Sequence, residues 1–225
     1  MIPGRTLAIG DIHGCHTALI ALLAQVRPRP DDTVVFTGDY INRGPASRKV
    51  IEELIGLHKT CSPVFLRGNH EAMILDAHKN PLQTDFWRDC GGLETLSSYG
   101  ADYRADWVSG IPESHWKFFQ HTARYFETDT HIFVHASLEP ELEMKDQFDS
   151  VLYWGLFGSM RPHKSGKKIV CGHTVQASGR IKDVGFAVCI DTGAVMDGWL
   201  SCLDVKTGEY WQANERGEMR SAELR

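Results

Sequence analysis

Five short apolar runs each end in a turn rich in glycine, aspartate, asparagine and histidine, and this recurrence constrains the fold more than any other feature. Thr6–Ile9 leads into Gly10-Asp11-Ile12-His13-Gly14, and Thr33–Phe36 into Gly38-Asp39. Pro63–Leu66 leads into Arg67-Gly68-Asn69-His70-Glu71, Ile132–Val134 into His135-Ala136, and Ile169–Cys171 into Gly172-His173-Thr174. The runs are short, unalternating and β-branched, as strands buried on both faces are. Helical spacing over Thr17–Arg27 and Ala46–His58 separates the first three runs, and Pro28-Arg29-Pro30-Asp31-Asp32 breaks the chain between them. Strand and helix in alternation predict an α/β fold of layers.

Residues 72–127 read differently. Helical spacing over Asp76–Trp87, Leu93–Tyr99 and Glu113–Tyr125, with no strand signal before Thr130, predicts a helical insertion packed on the α/β body. Its aromatics, Phe86, Trp87, Tyr99, Trp107, Trp116, Phe118 and Phe119, are expected to form a small core. Strands return over Phe186–Ile190, Trp199–Asp204 and Glu209–Gln212, with a hairpin turn at Lys206-Thr207-Gly208. The last dozen residues are polar and expected to fray. At 225 residues the chain is expected to be a single domain, residues 1–225.

Composition removes several classes of function. Lys and Arg number 24 against 29 Asp and Glu, a formal net charge of −5, so a nucleic-acid partner is not expected. The longest apolar stretch, near Ala18–Ala24, is far short of the ~20 residues a membrane span needs. Met1-Ile2-Pro3-Gly4-Arg5 does not follow a secretory pattern, so the expected compartment is the cytoplasm. The six cysteines contain no CxxC pair and are expected to be reduced and mostly buried.

Asp11, His13, Asp39, Asn69, His70, His135 and His173 all follow directly on expected strands. In open α/β sheets the functional crevice lies at the carboxyl ends of strands, so these side chains can converge. A mixed nitrogen and oxygen set suits Mn, Fe or Zn and is poor for Ca or Mg alone.

In order along the chain, Gly10-Asp11-Ile12-His13-Gly14, Gly38-Asp39-Tyr40-Ile41-Asn42-Arg43-Gly44 and Arg67-Gly68-Asn69-His70-Glu71 resemble the three signature blocks of the phosphoprotein phosphatase family of calcineurin-like metallophosphoesterases. His135-Ala136 and Gly172-His173-Thr174 resemble its remaining ligand blocks. Gly91-Gly92-Leu93-Glu94-Thr95-Leu96 and Ile190-Asp191-Thr192-Gly193-Ala194 resemble segments of compact bacterial and phage members. The resemblance implies a layered β-sandwich of mixed sheets flanked by helices. It also implies two divalent metal ions, Mn most readily in vitro. Asp11, His13 and Asp39 would hold the first. Asp39, Asn69, His135 and His173 would hold the second, with Asp39 bridging. His70 would be the general acid or proton shuttle, and Arg43 and Arg67 would grip phosphate. Tyr40, read from its own place in the turn, is expected either to line the substrate groove or to pack. The implied reaction is single-step hydrolysis by a hydroxide bridging the metals.

Two positions depart from that pattern. Asn42 stands where protein phosphatases of the family usually have Asp, and it cannot stabilise a cationic His70. The loss is expected to cost on the order of 10²-fold on poor leaving groups. Trp154 is followed by Gly155 rather than arginine, which leaves Arg161 and Lys164 as candidates for a third phosphate-binding cation. The leading expectation is a monomeric protein phosphatase acting on phosphoserine and phosphothreonine in a phosphoprotein or phosphopeptide. The alternative is a symmetrical dinucleoside tetraphosphate hydrolase, which Asn42 favours.

Overall fold

The computed structural model describes residues 4–101 and 106–224. Met1–Pro3, read above as lacking a secretory pattern, and four residues of the insertion, 102–105, lie outside the described residues. The first half alternates β1 (Thr6–Ile9), α1 (His16–Val26), β2 (Thr33–Phe36), α2 (Ser47–Gly56) and β3 (Ser62–Phe65). The helical region follows with α3 (Asn69–Lys79), α4 (Thr84–Trp87), α5 (Leu93–Tyr99) and α6 (Glu113–Gln120). The second half contains β4 (Tyr125–Glu127), β5 (His131–Val134), α7 (Asp149–Trp154), β6 (Lys168–Cys171), β7 (Lys182–Asp183) and β8 (Ala187–Cys189). It closes with β9 (Leu200–Asp204), β10 (Glu209–Ala213) and β11 (Met219–Glu223).

The strands form two mixed sheets, ordered β11-β10-β9-β1-β2-β3 and β4-β5-β6-β8-β7. Strands β1, β2 and β3 run parallel, as do β5, β6 and β8, while β9, β10 and β11 in the first sheet and β4 and β7 in the second pair antiparallel. Side chains alternate along a strand, so each inner strand feeds two cores. Leu7, Ile9, Val34 and Phe36 pack under the helices with Leu19, Leu22, Val50 and Ile51. Ala8, Val35, Phe133, Val170 and Val188 fill the space between the sheets. Ile132, Val134, Ile169 and Cys171 face α7 and its flanking loops, against Leu152, Tyr153 and Phe157. Both faces are therefore covered, which is why these strands read as continuous apolar runs.

The structure revises four readings. The insertion ends before residue 125, because Tyr125–Glu127 is strand β4, paired antiparallel with β5. Its brevity and mixed side chains give no periodic signal. The chain's polar end is not frayed, since all five residues of β11 pair with β10. The expected helix Asp76–Trp87 is broken at Asn80-Pro81, where the Asn80 side chain caps a new turn by accepting from Leu82 N. Trp87, Tyr99, Trp107, Trp116 and Phe119 are buried as expected, but Phe86 is exposed. All six cysteines are free, and five are buried.

Candidate metal centre

The parallel strands of both sheets end along one rim of the sandwich. The turns after β1, β2, β3, β5 and β6 place Asp11, His13, Asp39, Asn69, His70, His135 and His173 there. Making so many side chains converge strains the backbone. His13, Asp39, Asn42, Arg43 and His173 all have positive φ, between 45° and 72°, a region non-glycine residues seldom adopt outside functional sites. Glycine is required at Gly172, where a Cβ would lie 2.0 Å from the Asp11 carboxylate.

Asp39 sits at the centre. Its Oδ2 is 3.4 Å from His13 Nε2 and 3.9 Å from His70 Nε2, and its Oδ1 is 3.5 Å from His135 Nε2. His173 Nδ1 lies 3.2 Å from His135 Nε2. Among the described residues two donor clusters result, His13–Asp39–His70 and Asp39–His135–His173, sharing one carboxylate. Asp11 lies beside them, its carboxylate accepting from His173 N at 3.0 Å and from the Thr37 hydroxyl at 3.4 Å.

Several features fit this set to cations. His13 Nδ1 is 3.0 Å from the Ile41 carbonyl and His135 Nδ1 is 2.8 Å from that of Thr37. Each Nδ1–H donates outward, so each Nε2 turns its lone pair into the cluster. Burial outweighs these bonds and depresses both rings, His13 to about 3 and His135 to about 4, and burial followed by neighbouring His135 takes His173 to about 3. Neutral imidazoles are what a metal requires. The carboxylates move the other way. Burial pushes Asp39 up to about 7, and burial, then Asp191, then Asp39 raise Asp11 well above the usual range. Buried acids crowded together stay charged only when a cation compensates them. The Asn69 amide is the adaptable member. Its NH₂ can face Asp39, His135 and His173, and turning it over presents its oxygen to the same point.

Around these donors the structure separates residues that face the centre from residues that only shape it. Arg43 is exposed at the mouth, with Nη1 3.2 Å from His13 Nε2. Arg67 does not face the centre. Its guanidinium donates to the Thr122 hydroxyl at 2.9 Å and to the Gln120 carbonyl at 3.0 Å, tying β3 to the end of α6. Its reading as a phosphate ligand is therefore corrected to a structural one. Of the two expectations for Tyr40 the structure gives packing and not groove lining, because it is fully buried and its hydroxyl donates to Leu66 O at 2.6 Å. Lys164 is committed to an ion pair with Glu143 at 2.6 Å. Arg161 lines a separate cavity with Ser137 and Glu139. Thr174 accepts from Phe157 N. Asp191 accepts from Gly193 N and acts on Asp11 through charge.

The Asn42–His70 contact is legible in the sequence, but the groups on the other side of Asn42 are not. Its Nδ2 is 2.7 Å from His70 Nδ1, and its Oδ1 accepts from Trp87 Nε1 at 3.1 Å and from Thr95 Oγ1 at 2.9 Å. Trp87 and Thr95 lie 45 and 53 residues further along the chain. Only the Gly91-Gly92-Leu93-Glu94-Thr95-Leu96 segment hinted at that contact.

Two mixed sheets with a carboxylate shared between two histidine clusters at their rim define a metal-dependent phosphoesterase. The chain belongs to the calcineurin-like phosphoesterases, whose family model matches residues 4–189. It is 34% identical over 152 residues to the symmetrical bis(5'-nucleosyl)-tetraphosphatase of Burkholderia thailandensis, covering 65% of this chain and 49% of that protein. The chain thus spans about half the length of that relative. It is 28% identical over 223 residues to serine/threonine-protein phosphatase 2 of Salmonella typhimurium, covering 88% of this chain and 91% of that one. Among solved structures, a serine/threonine phosphatase from Saccharomyces cerevisiae aligns over 99% of this chain and 80% of its own, with a TM-score of 0.61 at 17% identity. A crystal structure proposed to be a diadenosine tetraphosphatase aligns over 99% of this chain and 94% of its own, with a TM-score of 0.68 at 20% identity. No helix among the described residues is long and apolar enough to cross a membrane.

Proposed function

We propose that this chain is a two-metal phosphohydrolase that acts best on phosphoanhydrides of the dinucleoside tetraphosphate kind. The observation that carries the reading is the contact between Asn42 Nδ2 and His70 Nδ1 at 2.7 Å. An amide there donates to the ring and brings no negative charge to balance an imidazolium. Burial, followed by the neighbouring His13 and Arg43, also lowers His70 well below the ordinary histidine range. His70 therefore works as a neutral hydrogen-bond donor through Nε2, which is buried and has no hydrogen-bond partner among the described residues. A neutral imidazole serves a departing phosphate, which needs little protonation, better than a departing serine alkoxide.

The other roles follow from position. His13, Asp39, Asn69, His135 and His173 would hold two divalent cations, with Asp11 beside them. When bound, the cations supply activated water and offset the charge on phosphorus. Arg43 at the mouth presents a planar fork to phosphate oxygens. Arg43→Ala is expected to lower kcat/KM about 10²-fold on every phosphate substrate, the scale of one lost transition-state donor. Metal content by elemental analysis should stay the same, and a loss of metal would move Arg43 from substrate binding to ligand support.

A second reading, phosphoserine and phosphothreonine phosphatase, is supported by the alignment with the Salmonella phosphatase along nearly the whole of both chains. Protein stripped and reloaded with Mn²⁺ should be tested on diadenosine tetraphosphate, a phosphoserine peptide and an aryl phosphate. The proposal expects kcat/KM on the dinucleotide to exceed that on the peptide by about 10²-fold, the contribution of general acid catalysis forgone on the alkoxide. The reverse order would establish the second reading.

A further inference from the structure

We infer that Trp87 and Thr95 are positioning residues that decide which nitrogen of His70 carries its proton. An asparagine side chain has two faces of opposite character, and nothing intrinsic to Asn42 selects the one shown to His70. The selection comes from the helical insertion. Trp87 Nε1 can only donate, and it points at Asn42 Oδ1 from 3.1 Å. The Thr95 hydroxyl accepts from Asn42 N at 2.9 Å and donates to Asn42 Oδ1, also at 2.9 Å, with the Ser47 hydroxyl 3.1 Å away free to donate to it in turn. Turning the amide over would set its NH₂ against the indole N–H, two donors in a fully buried place. The NH₂ is thus committed to His70 Nδ1, at 2.7 Å. His70 Nδ1 must accept, and the ring proton resides on Nε2, the atom on the Asp39 side of the ring, 3.9 Å from Asp39 Oδ2.

The arrangement is built to hold. Trp87 is fully buried, its ring centroid 4.8 Å from that of Trp107, and Asn42 is fully buried as well. Gly91 and Gly92, between Trp87 and Thr95, allow close approach. A Cβ on Gly91 would lie 2.6 Å from Arg43 N, and one on Gly92 would lie 2.8 Å from the Trp87 ring. An aspartate at position 42 would need no such arrangement, because a carboxylate has no wrong face. The two donors are therefore the counterpart of having asparagine there.

The inference rests on the role given to His70 above, and two measurements separate it from that role. Nitrogen-15 spectra of the histidine rings in the metal-free protein read the tautomer directly, with the His70 signals identified by their loss in His70→Asn. An unprotonated Nδ1 and a protonated Nε2 are expected, and a proton on Nδ1 overturns the inference whatever the substrate. The second measurement compares turnover of an alkyl and an aryl phosphate for Trp87→Phe and Thr95→Val. Each is made in the parent and in an Asn42→Asp background. The alkyl-to-aryl ratio should fall about tenfold in the parent and less than about twofold in the Asn42→Asp background, since only the amide depends on orientation. Equal falls in both backgrounds would reduce the two residues to packing and overturn the inference. Thr95→Val, with the smaller change in volume, carries the test where Trp87→Phe fails to fold.

Discussion

Asp39→Asn should lose at least about 10³-fold in turnover on every phosphate ester and anhydride, because under the proposed roles the charge shared by the two clusters contributes several kcal/mol through the cations it would hold. Elemental analysis should find fewer than two metal ions per chain after reloading with Mn²⁺. The same substitution should stabilise the metal-free protein at alkaline pH. Burial pushes Asp39 up to about 7 from an unfolded value of 3.8. Between those values the folded chain retains a proton that the unfolded chain has released, so stability falls as pH rises from about 4 to about 7. Above about pH 7 the full cost of an ionised, buried carboxylate remains. The neutral amide of the variant carries no such cost. The imidazoles His13, His135 and His173, all lowered from 6.5, act with the opposite sign, losing stability as pH falls below about 6.5. They are common to both proteins, so the difference between the two reports the loss of the Asp39 charge, including the relief it gives Asp11 and Glu71. Melting curves without metal should coincide near pH 4 and separate above pH 7, the variant melting higher, and saturating Mn²⁺ should reverse the order. Equal metal content in the two proteins would remove Asp39 from the bridging position.

Much of this site can be read from the chain because its donors sit directly after strands. Strand β1 matches its expected bounds, and so does β2, because continuous β-branched runs buried on both faces have no competing helical period. Once those strands lie side by side, residues that follow them must share a rim. His13, Asp39, Asn69, His135 and His173 therefore come together from local signals alone. Direction within the rim is a different matter. Arg67 and Tyr40 lie in the same turns as true neighbours of the centre, yet their side chains turn to Gln120 O and Leu66 O. Spacing places a Cα and says nothing about which acceptor a long side chain meets. The same limit hid Trp87 and Thr95, which reach Asn42 only because the insertion folds back over α2. Strands β4 and β11 went unseen for another reason. Both are outer strands, and their polar or mixed side chains follow from pairing along one edge rather than from burial on two faces.

Glu71→Ala should destabilise the protein by about 4 kcal/mol, lowering Tm by roughly 10 °C for a domain of this size. Glu71 is fully buried at the start of α3. Its Oε2 accepts from Asp39 N at 2.8 Å and from Gly68 N at 2.9 Å, and its Oε1 accepts from Tyr40 N at 2.9 Å. One carboxylate therefore joins the turn after β2 to the turn after β3. Alanine leaves three buried N–H groups without acceptors, each costing about 1–3 kcal/mol unless water reaches it. Asp39 has positive φ, and these hydrogen bonds help to hold it there. When they are lost, its carboxylate is released from the geometry that aims one oxygen at His13 and the other at His135. Turnover should accordingly fall well below the fraction of protein that remains folded. Glu71→Gln keeps the shape and one acceptor oxygen, but its NH₂ faces an N–H donor, and about half the destabilisation is expected. Thermal melting of the metal-free proteins, with activity measured at a temperature where each is fully folded, separates the two effects. A folded Glu71→Ala with parental turnover would show that the rim keeps its shape without this carboxylate, and that Asp39 is held from its own side of the site.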